Sequence, residues 1–571
     1  MWCANCNRTS YSENCEVCGS KTQQDTPIEL FWCDSCRVPI IVEASETSAR
    51  CCPRCGKPIR YLAKDLRPVF PEERLLLEII QGKPFAYEKS SVWASGSRYY
   101  IDGKASFLSI ERLKGLDVQK ISAELNKYSG QNTYGNFNQI VNLFVECNRE
   151  RLAAIKQEAE NFVREQVALF PKHKLVISFS GGKDSTVVAD IVTRALSNPS
   201  IVQVFGDTTL EFPMTYEYVA RHRKQNPLAI LKTAKNKEQD FYKVCDEIGP
   251  PARMMRWCCT MFKTGPITRV LNSLFKDSSI LTFYGIRKHE SISRSKYDRV
   301  ASGANVKIQK QTVAAPIFYW TDSEVWLYIL GEGIDFNDAY RLGYDRVGCW
   351  CCPNNTIRSQ FLAQIYMPEQ SKEWREYLIG FAKRIGKPDP EVYVDDGKWK
   401  ARQGGNGLAA SEDVKIRYTN CTAEDHAKIY KLNKPVNDEF FNLFVPFGKV
   451  SKELGRKLLH EVIVLDINTT APILSIQPFD QDGYEYAVKI RTMNVADHDA
   501  LQRMVAYQVR KFNACRKCLK CESVCPFGAI TITQGVYRIN ENVCRHCKKC
   551  VSPKYLEGGC LMEKFLKSKE V

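Results

Sequence analysis

The sequence lacks any long apolar run and any recognisable targeting segment. No apolar stretch approaches the roughly 20 residues needed to span a bilayer. The opening MWCANCNRTS also lacks the basic and apolar parts of a signal peptide. We therefore expect a cytoplasmic protein with no membrane partner. At 571 residues, with 44% apolar and 26% charged residues, the chain should fold into about three to five domains.

The 25 cysteines do not have the spacing of a disulfide framework. Most occur as Cys-x-x-Cys pairs, which are typical of tetrahedral thiolate ligation to a metal. In a reducing compartment they predict zinc or iron–sulfur sites. The net charge of +16 counts these thiols as neutral. Two zinc sites and three clusters would remove about 10 charges and leave roughly +6, so a nucleic-acid partner stays open without being required.

Residues 1–58 contain two cysteine sets, each made of two Cys-x-x-Cys pairs separated by a short loop. This is the arrangement of a zinc ribbon. All four ligands of each set are protein thiolates, so neither zinc has an open position for catalysis, and we expect both to stabilise the fold. Cys51 is left over and is an alternative ligand to Cys52. The predicted sets are Cys3, Cys6, Cys15 and Cys18, and Cys33, Cys36, Cys52 and Cys55.

Two further units of the chain carry no recognisable chemistry. Residues 59–135 predict a small α+β domain, in which Arg98, Tyr99 and Tyr100 either stack on nucleic-acid bases or belong to the core. Residues 401–510 predict a mixed accessory domain. The roles of both units stay open.

Strands and helices alternate across residues 136–400, which predicts a doubly wound parallel sheet. The candidate strands are 175–179, 201–205, 228–231 and 280–284. The expected fold class is therefore multidomain α/β, with a Rossmann-like core and small zinc-ribbon and ferredoxin-like modules.

Residues 511–571 carry two cysteine runs in the order of a bacterial ferredoxin. The first run ends in Cys-Pro, and in this pattern the fourth cysteine of one run ligates the other cluster. The spacer before Cys560 is longer than the usual three residues. We predict one 4Fe–4S cluster on Cys515, Cys518, Cys521 and Cys560, and another on Cys525, Cys544, Cys547 and Cys550.

The stretch SFSGGKDST, residues 178–186, lies between an apolar strand and a helical pattern. A glycine-rich turn at a helix start is an anion site, because backbone N–H groups converge there and the helix dipole adds positive potential. The spacing is not that of a Walker A loop. The predicted nucleotide-binding residues here are Ser180, Gly181, Gly182, Lys183, Asp184, Ser185 and Thr186.

This loop resembles the pyrophosphate loop of the ATP pyrophosphatase superfamily, which has an adenine nucleotide alpha hydrolase-like fold. Three further segments, at 205–219, 284–294 and 315–329, are similar to segments of the phosphoadenosine phosphosulfate (PAPS) reductase family and occur in its order. By this resemblance Arg287 and Arg294 meet phosphate or sulfonate oxygens, which suits the bidentate geometry of arginine. Asp207 lies at the carboxyl edge of the sheet, where such folds bind nucleotides.

Five cysteines in the middle of the chain resemble the iron–sulfur type of the same family. The resemblance implies a third 4Fe–4S cluster on Cys258, Cys259, Cys349 and Cys352, with Cys351 as an alternative ligand or a free thiol that carries sulfur. Neighbouring cations should lower thiol pKa values and stabilise an anionic cluster and substrate. These are Arg253, Arg256, Lys263, Arg287 and Lys288.

Two reactions fit this set of features. In the first, ATP, with Mg²⁺, adenylates an acceptor such as tRNA or DNA, and sulfur from a donor such as a cysteine desulfurase displaces AMP. In the second, PAPS or adenylylsulfate is reduced to sulfite with electrons from an external donor. The Glu-Cys-Gly-Leu-His tail of thiol-dependent reductases is missing, which favours the first. The candidate catalytic residues are Lys183, Asp184, Arg287 and Cys351.

Overall fold

A six-stranded sheet lies in the middle of the chain. The computed structural model describes residues 2–3, 6, 8–9, 14–20, 27–44, 50–96, 98–107, 113, 115–276, 278–303, 306, 308, 310–405, 407–551 and 560–566. In spatial order the strands are Ile230–Lys235, Val202–Asp207, Lys174–Phe179, Ile280–Phe283, Gln311–Ala314 and Val300–Ala301. The first five are parallel, and the short edge strand Val300–Ala301 is antiparallel. This order confirms the doubly wound α/β core.

Alternate residues of these strands pack on opposite faces of the sheet. Ile177 belongs to the core that contains the helix Lys183–Ala195, whereas Val176 packs with Leu271 of the helix Gly265–Leu274. The strand predicted at 228–231 has the wrong bounds, since the structure forms Ile230–Lys235. Its polar residues are largely exposed at the edge of the sheet, so an apolar run does not mark it.

Helices cover both faces of the sheet and continue beyond it to residue 395. They are Lys183–Ala195, Pro213–Gln225, Phe241–Ile248, Trp257–Cys259, Gly265–Leu274, Asp322–Glu332, Ile357–Tyr366, Pro368–Arg384 and Pro390–Asp395. A π-helical turn, Thr260–Thr264, follows Trp257–Cys259 directly. Shorter 3₁₀ turns are Lys288–Glu290, Arg294–Lys296, Asp338–Tyr340, Lys398–Ala401 and Ala409–Val414.

Within its described residues, the N-terminal third contains three small antiparallel sheets and four helices. The sheets are Trp2–Cys3 with Arg8–Thr9; Val38–Glu43, Ile28–Cys33 and Arg60–Ala63; and Arg67–Pro68, Val92–Ser95, Arg98–Ile101 and Lys104–Phe107. The helices are Pro71–Ile80, Val118–Lys127, Gly135–Cys147 and Arg149–Leu169. Trp32 and Phe144 share one hydrophobic core with Phe179 of the central sheet, so packing is continuous across the predicted unit boundaries. Tyr99 and Tyr100 are 3% and 5% exposed, and both are core residues.

The rest of the chain forms a second six-stranded sheet and a small C-terminal unit. The sheet is antiparallel, in the order Tyr418–Asn420, Ala427–Leu432, Tyr486–Thr492, Pro472–Phe479, Val462–Leu465 and Lys449–Ser451. Its helices are Asp438–Asn442 and His498–Ala514, with 3₁₀ turns at Val445–Phe447 and Lys457–Leu459. The C-terminal unit contains Lys520–Val524, the hairpin Ile530–Thr533 and Val536–Ile539, the turn Lys549–Val551 and Leu561–Leu566. Among the described residues, every helix is too short or too polar to cross a bilayer.

Candidate functional site

The glycine turn after strand Lys174–Phe179 has the geometry of an anion site. Gly181 adopts φ +73°, and a Cβ there would approach Thr215 Cγ2 to 2.9 Å, so the position requires glycine. No side chain caps the start of the helix at Gly182. The amide of Asn337 donates to the Gly181 carbonyl at 3.1 Å, and the Lys183 backbone N–H donates to the Tyr340 hydroxyl at 3.0 Å. The turn is therefore held in shape by a neighbouring loop.

The three hydroxyl groups of the turn have different environments. Ser180 is exposed, and its Oγ lies 3.1 Å from Ser185 Oγ, which in turn donates to the Gly182 carbonyl at 2.8 Å. Thr186 is buried, and its Oγ1 lies 2.8 Å from the Tyr218 hydroxyl. Ser180 is the hydroxyl presented at the open side of the turn, whereas Thr186 faces the protein interior.

Two cations and two carboxylates form a buried network beside the turn. Lys183 Nζ lies 3.0 Å from Asp322 Oδ1 and 3.7 Å from Asp184 Oδ2. Arg287 Nε lies 2.5 Å from Asp184 Oδ1, and its Nη2 lies 2.9 Å from Asp322 Oδ1. The side chains of both cations are only 5% exposed. In this structure each cation is thus paired with carboxylates.

The network determines which groups are ionised. Burial opposes ionisation of Asp184, but Arg287 and Lys183 outweigh it and hold the pKa of this carboxyl below its usual range. Burial likewise opposes charge on Lys183, yet Asp184 and Asp322 raise the pKa of its ammonium. For Arg287 the same two carboxylates overcome burial and raise the pKa. All three groups are therefore charged at neutral pH.

Asp65, from the N-terminal part of the chain, extends this network. Its Oδ2 accepts from the Asp322 backbone N–H at 2.9 Å, and its Oδ1 accepts from the Ser323 N–H at 2.9 Å and the Ser323 hydroxyl at 2.7 Å. Burial, with the neighbouring charge of Asp322, raises the pKa of Asp65 to about 6. Asp65 caps the helix Asp322–Glu332 and adds a third carboxyl group near the turn.

Gly285 allows the strand Ile280–Phe283 to continue closely past the turn. A Cβ on Gly285 would lie 2.7 Å from the Asp184 carbonyl carbon and 2.8 Å from the Ser185 backbone nitrogen. Both neighbours are backbone atoms of the first helical turn, so they cannot rotate away. Gly285 thereby places Arg287, two residues later, against Asp184.

The carboxyl edge of the sheet brings Asp207 to the same side as the turn. Strand Val202–Asp207 pairs with Lys174–Phe179, and both end there. Asp207 Oδ1 accepts from the Tyr216 hydroxyl at 2.9 Å, and its Oδ2 lies 3.7 Å from Lys235 Nζ. Arg294 forms an ion pair with Glu290, and burial with repulsion from Arg346 lowers its pKa to about 10.

The segment after Asp207 connects this edge to the central cysteines. Glu211 forms an isolated β-bridge with Cys349, and Thr208 Oγ1 lies 3.5 Å from Cys349 Sγ. Burial, with the neighbouring Glu211 carboxylate, raises the pKa of Cys349, and interactions with Cys259 and Cys352 add to the effect. The hydrogen bond with Cys259 is the largest cause of a raised pKa at Cys258, and burial is the second. Cys258 also interacts with Cys349.

The structure thus brings Cys258, Cys259, Cys349 and Cys352 together, beside the carboxyl edge of the sheet. Among the residues that the structure describes, only the two N-terminal cysteine sets have all their sulfur atoms within 4.8 Å of one another. The wider spacing of the central thiols suits a multi-atom cluster in place of a single ion. The raised pKa values of Cys258, Cys349 and Cys352 keep these thiols protonated without metal, and metal binding would displace those protons.

Cys351 differs from the other four central cysteines. It is 4% exposed and belongs to an apolar cluster with Cys245, Trp257 and Trp374. Burial, with the neighbouring Cys349 and Cys245, raises the pKa of Cys351. This environment favours packing over sulfur carriage, so the catalytic role of Cys351 stays a sequence prediction.

Of the predicted cations, Arg256 interacts with the central thiols, whereas Arg287 belongs to the network beside the turn. The expected lowering of the thiol pKa values is wrong for Cys258, Cys349 and Cys352, whose pKa values are raised, with burial among the main causes. Arg256 is exposed and interacts with Cys259 and Cys352. Burial and the neighbouring Cys259 raise the pKa of Cys352, although Arg346 acts to lower it. Lys263 interacts with the Glu211 carboxyl, while Arg253 is exposed at the tip of a turn. Lys288 packs near the Tyr319 ring, 6.0 Å from its centroid.

Both N-terminal cysteine sets fit a tetrahedral zinc ion. Tetrahedral Zn–S bonds of about 2.3 Å place sulfur atoms about 3.8 Å apart. The structure gives Cys3–Cys18 at 3.5 Å and Cys15–Cys6 at 3.9 Å, with Cys33–Cys55 at 3.5 Å and Cys36–Cys52 at 3.8 Å. Cys51 is exposed and does not join the second set, so Cys52 is the ligand the geometry favours.

The structure brings the eight C-terminal cysteines together in two neighbouring groups. Cys518 interacts with Cys560, Cys521 and Cys515, and burial raises its pKa. Cys544 interacts with Cys525 and Cys547, and burial raises its pKa as well. A small cavity between Pro446, Phe527 and Ile539 is lined by all four cysteines of the second set, Cys525, Cys544, Cys547 and Cys550. Two groups of four thiols are the ligands that two 4Fe–4S clusters would require.

This ferredoxin-like unit packs against the segment that follows the central cysteine pair. A Cβ on Gly265 would lie 2.5 Å from Leu519 Cβ, and Arg269 Nε lies 3.0 Å from Glu522 Oε2. Cys518 and Met261 belong to the same apolar cluster as Cys351. The first C-terminal set therefore lies close to the central set.

The sequence prediction missed several residues of the site. Asp322 lies in the segment 315–329, which resembles the reductase family, but the resemblance does not mark Asp322 itself as a site residue. Asp65 and Tyr340 reach the loop from distant parts of the chain, and no local pattern marks them. Cys147, an isolated cysteine in a helix, lies beside the second zinc-type set, with its Sγ 3.9 Å from Cys52 Sγ, but it is not one of the four grouped thiols.

Comparison with known proteins is consistent with this geometry. Residues 174–355 match the phosphoadenosine phosphosulfate reductase domain, and residues 510–531 match the 4Fe-4S binding domain. An uncharacterized protein of Methanocaldococcus jannaschii is 29% identical over 292 residues, which cover 51% of this chain and 59% of that protein. The chain thus spans about three fifths of that relative's length.

Two further likenesses concern the central domain. The adenosine 5'-phosphosulfate reductase of Staphylococcus epidermidis is 26% identical over 194 residues, 33% of this chain and 74% of the relative. The crystal structure of phosphoadenylyl-sulfate (PAPS) reductase from Candida auris covers 36% of this chain and 96% of its own, at 17% identity and a TM-score of 0.28. That score supports no conclusion.

Proposed function

We propose that this chain, whose residues 174–355 form a PAPS reductase family domain, is an ATP-dependent, iron–sulfur sulfurtransferase. It adenylates an oxygen of its acceptor at the glycine turn and then replaces that oxygen with sulfur. The observation that carries the proposal is the charge balance of the turn.

Lys183 and Arg287 are the two buried cations expected to bind phosphate, and both are already neutralised by Asp184 and Asp322. A metal-free anion would have to compete with these carboxylates. Mg²⁺ brought in by a nucleoside triphosphate would pair with the carboxylates and release both cations to the phosphate oxygens, because Mg²⁺ prefers carboxylate and phosphate oxygens. A magnesium polyphosphate therefore suits this site better than a metal-free nucleotide sulfonate.

The reaction that follows is balanced without a redox change. The acceptor oxygen attacks the α-phosphorus of ATP, and the bond to pyrophosphate breaks. Lys183, the backbone N–H groups of the turn and Ser180 hold the leaving pyrophosphate, and Arg287 stabilises the charge that develops on it. Sulfide then forms a bond to the acceptor carbon as AMP leaves with the oxygen. An iron–sulfur group on the four central cysteines would supply a place to hold that sulfide.

The surface around the central cysteines fits an anionic acceptor. The side chain of Arg346 is 73% exposed, and it lies near Cys352 and Arg294. Arg256 also interacts with Cys352, and both Arg256 and Arg253 are exposed. Such a group of cations attracts a polyphosphate backbone, so tRNA or DNA is the acceptor class that we propose. The sulfur donor that we propose is a cysteine desulfurase, whose persulfide sulfur is released as sulfide by two electrons from an external reductant before the insertion step.

A ferredoxin-coupled reduction of PAPS or adenylylsulfate to sulfite is the second candidate. Two observations favour it: the contact of the ferredoxin-like unit with the segment after Cys259, and the similarity to an adenosine 5'-phosphosulfate reductase. In this reaction two electrons from an external donor cleave the bond between the sulfonate sulfur and the phosphate oxygen, and sulfite and the nucleotide leave.

One comparison separates the two reactions. The full-length protein, prepared anaerobically with its metals, is given Mg·ATP and sulfide with tRNA or single-stranded DNA, and separately adenylylsulfate or PAPS with a reduced viologen. The proposal predicts nucleic-acid-dependent release of pyrophosphate and sulfur in the polymer. Sulfite without pyrophosphate release would overturn it in favour of the reductase. The variant Asp190→Asn, on the same helix but beyond its first turn, serves as a control with the loop intact.

A further inference from the structure

A buried lysine lies between the two cysteine sets of the ferredoxin-like unit. Lys511 belongs to the helix His498–Ala514, which leads directly into Cys515. It is 4% exposed, and its ammonium donates to the Cys550 carbonyl at 2.7 Å. The ring of Tyr537 lies 5.8 Å from Nζ. The charge is therefore removed from water and held in one position.

The surroundings of this ammonium contain thiols and no paired carboxylate. Lys511 interacts with Cys521, Cys560 and Cys515 of the first set and with Cys550 of the second. Among the ion pairs of the part of the chain that the structure describes, none includes Lys511. A buried charge without a counter-ion is costly, so its compensation must come from the thiolates. Those thiolates are anionic once they ligate metal.

We propose that Lys511 is a fixed positive charge shared by the two ferredoxin-like cysteine sets, and that it raises the reduction potentials of the 4Fe–4S groups they fit. An oxidised four-iron group with four thiolates carries about −2, and each group takes up one electron from an external one-electron carrier on reduction. The added negative charge is stabilised by the neighbouring ammonium. No proton is taken up, because the ammonium is already charged.

This assignment is independent of the reaction at the glycine turn. Lys511 determines which electron donors can reduce the ferredoxin-like unit. With the lysine present, donors of less negative reduction potential can reduce it. Reduction potentials are measured without nucleotide or acceptor, so failure of the sulfurtransferase proposal would leave this one standing, and the reverse also holds.

The test is an EPR-monitored redox titration of the full-length protein and three variants. Lys511→Gln removes the charge and keeps an N–H donor for the Cys550 carbonyl. Lys511→Arg keeps the charge. Lys549→Gln makes the same charge change next to Cys550 at an exposed position, where water screens it.

We expect Lys511→Gln to lower the potentials so that, at the wild-type midpoint, the reduced-to-oxidised ratio falls about tenfold, which corresponds to about 59 mV for one electron. Lys511→Arg and Lys549→Gln should stay near the wild type. Unchanged potentials in Lys511→Gln with full iron content would overturn the proposal. If Lys511→Gln loses iron, Lys511→Met replaces it in the test and should show the same lowered potentials. Lys511→Arg must in either case keep the potentials of the wild type.

Discussion

Removing one carboxylate beside the glycine turn should change which anions the site prefers. Asp322→Asn deletes the negative charge that lies 3.0 Å from Lys183 Nζ and 2.9 Å from Arg287 Nη2. Both cations then have fewer competing partners, because Asp184 alone remains to pair with them. The variant should bind metal-free anions more tightly and depend less on Mg²⁺.

The size of the effect follows from the contacts that are lost. A charge-assisted hydrogen bond contributes about 1.5–3 kcal/mol after solvation is counted, and a phosphate that replaces Asp322 on Lys183 no longer has to displace it. The affinity for metal-free pyrophosphate should therefore rise about ten- to hundredfold. Asp190→Asn removes a carboxylate that pairs with Arg194 on the same helix, away from the turn, and should leave that affinity unchanged.

Isothermal titration calorimetry with pyrophosphate, and with ATP in the presence of either Mg²⁺ or a chelator, measures the effect. The wild type should bind Mg·ATP at least about tenfold more tightly than metal-free ATP, and Asp322→Asn should lose most of this difference. Equal pyrophosphate affinity in the two proteins would refute the charge-balance argument. So would a wild type that binds adenylylsulfate without metal as tightly as Mg·ATP.

Three further predictions concern the fold and the metals. Gly285→Ala should abolish nucleotide binding and destabilise the protein by about 1–3 kcal/mol, because the new Cβ would meet backbone atoms. Gly380→Ala, whose Cβ would have nothing within 4 Å, should do neither. Calorimetry measures the binding, and thermal unfolding measures the stability. Asp65 has a folded pKa of about 6, above its ordinary 3.8, so the unfolded chain loses this proton first. The stability advantage of the wild type over Asp65→Asn should accordingly fall by about 3 kcal/mol as the pH rises from about 4 to 6, and a pH-independent difference in urea unfolding would contradict it. Cys36→Ser should cost one zinc per chain by elemental analysis, and Cys51→Ser none.

The sequence predicts the parts of the fold and site that depend on neighbouring residues. The glycine turn, the strand before it and the Cys-x-x-Cys sets are all local patterns. In the structure the residues of each pattern lie close to one another. The strand Ile230–Lys235 is less visible, because an edge strand exposes polar residues and has no apolar run. The aromatic pair Tyr99 and Tyr100 has the composition of a base-stacking surface, and only the fold shows that both are buried.

The residues that the sequence does not reveal act across long separations in the chain. Asp65 contacts Ser323 and Asp322, which lie 258 and 257 positions later in the chain, and no spacing rule connects them. Lys511 looks like any lysine of an amphipathic helix, and its charge becomes significant only when the helix packs between two cysteine sets. Predicting such residues requires the tertiary packing itself.

The central claim is that the glycine turn and the thiols of Cys258, Cys259, Cys349 and Cys352 act on one substrate. Mössbauer spectra of the iron-loaded protein, recorded with and without Mg·ATP and compared with Cys258→Ser to isolate the central iron, test it most directly. Bound nucleotide should change the spectrum of the central iron and leave that of the C-terminal iron unchanged. An unaltered central spectrum under conditions where calorimetry shows the nucleotide bound would contradict it.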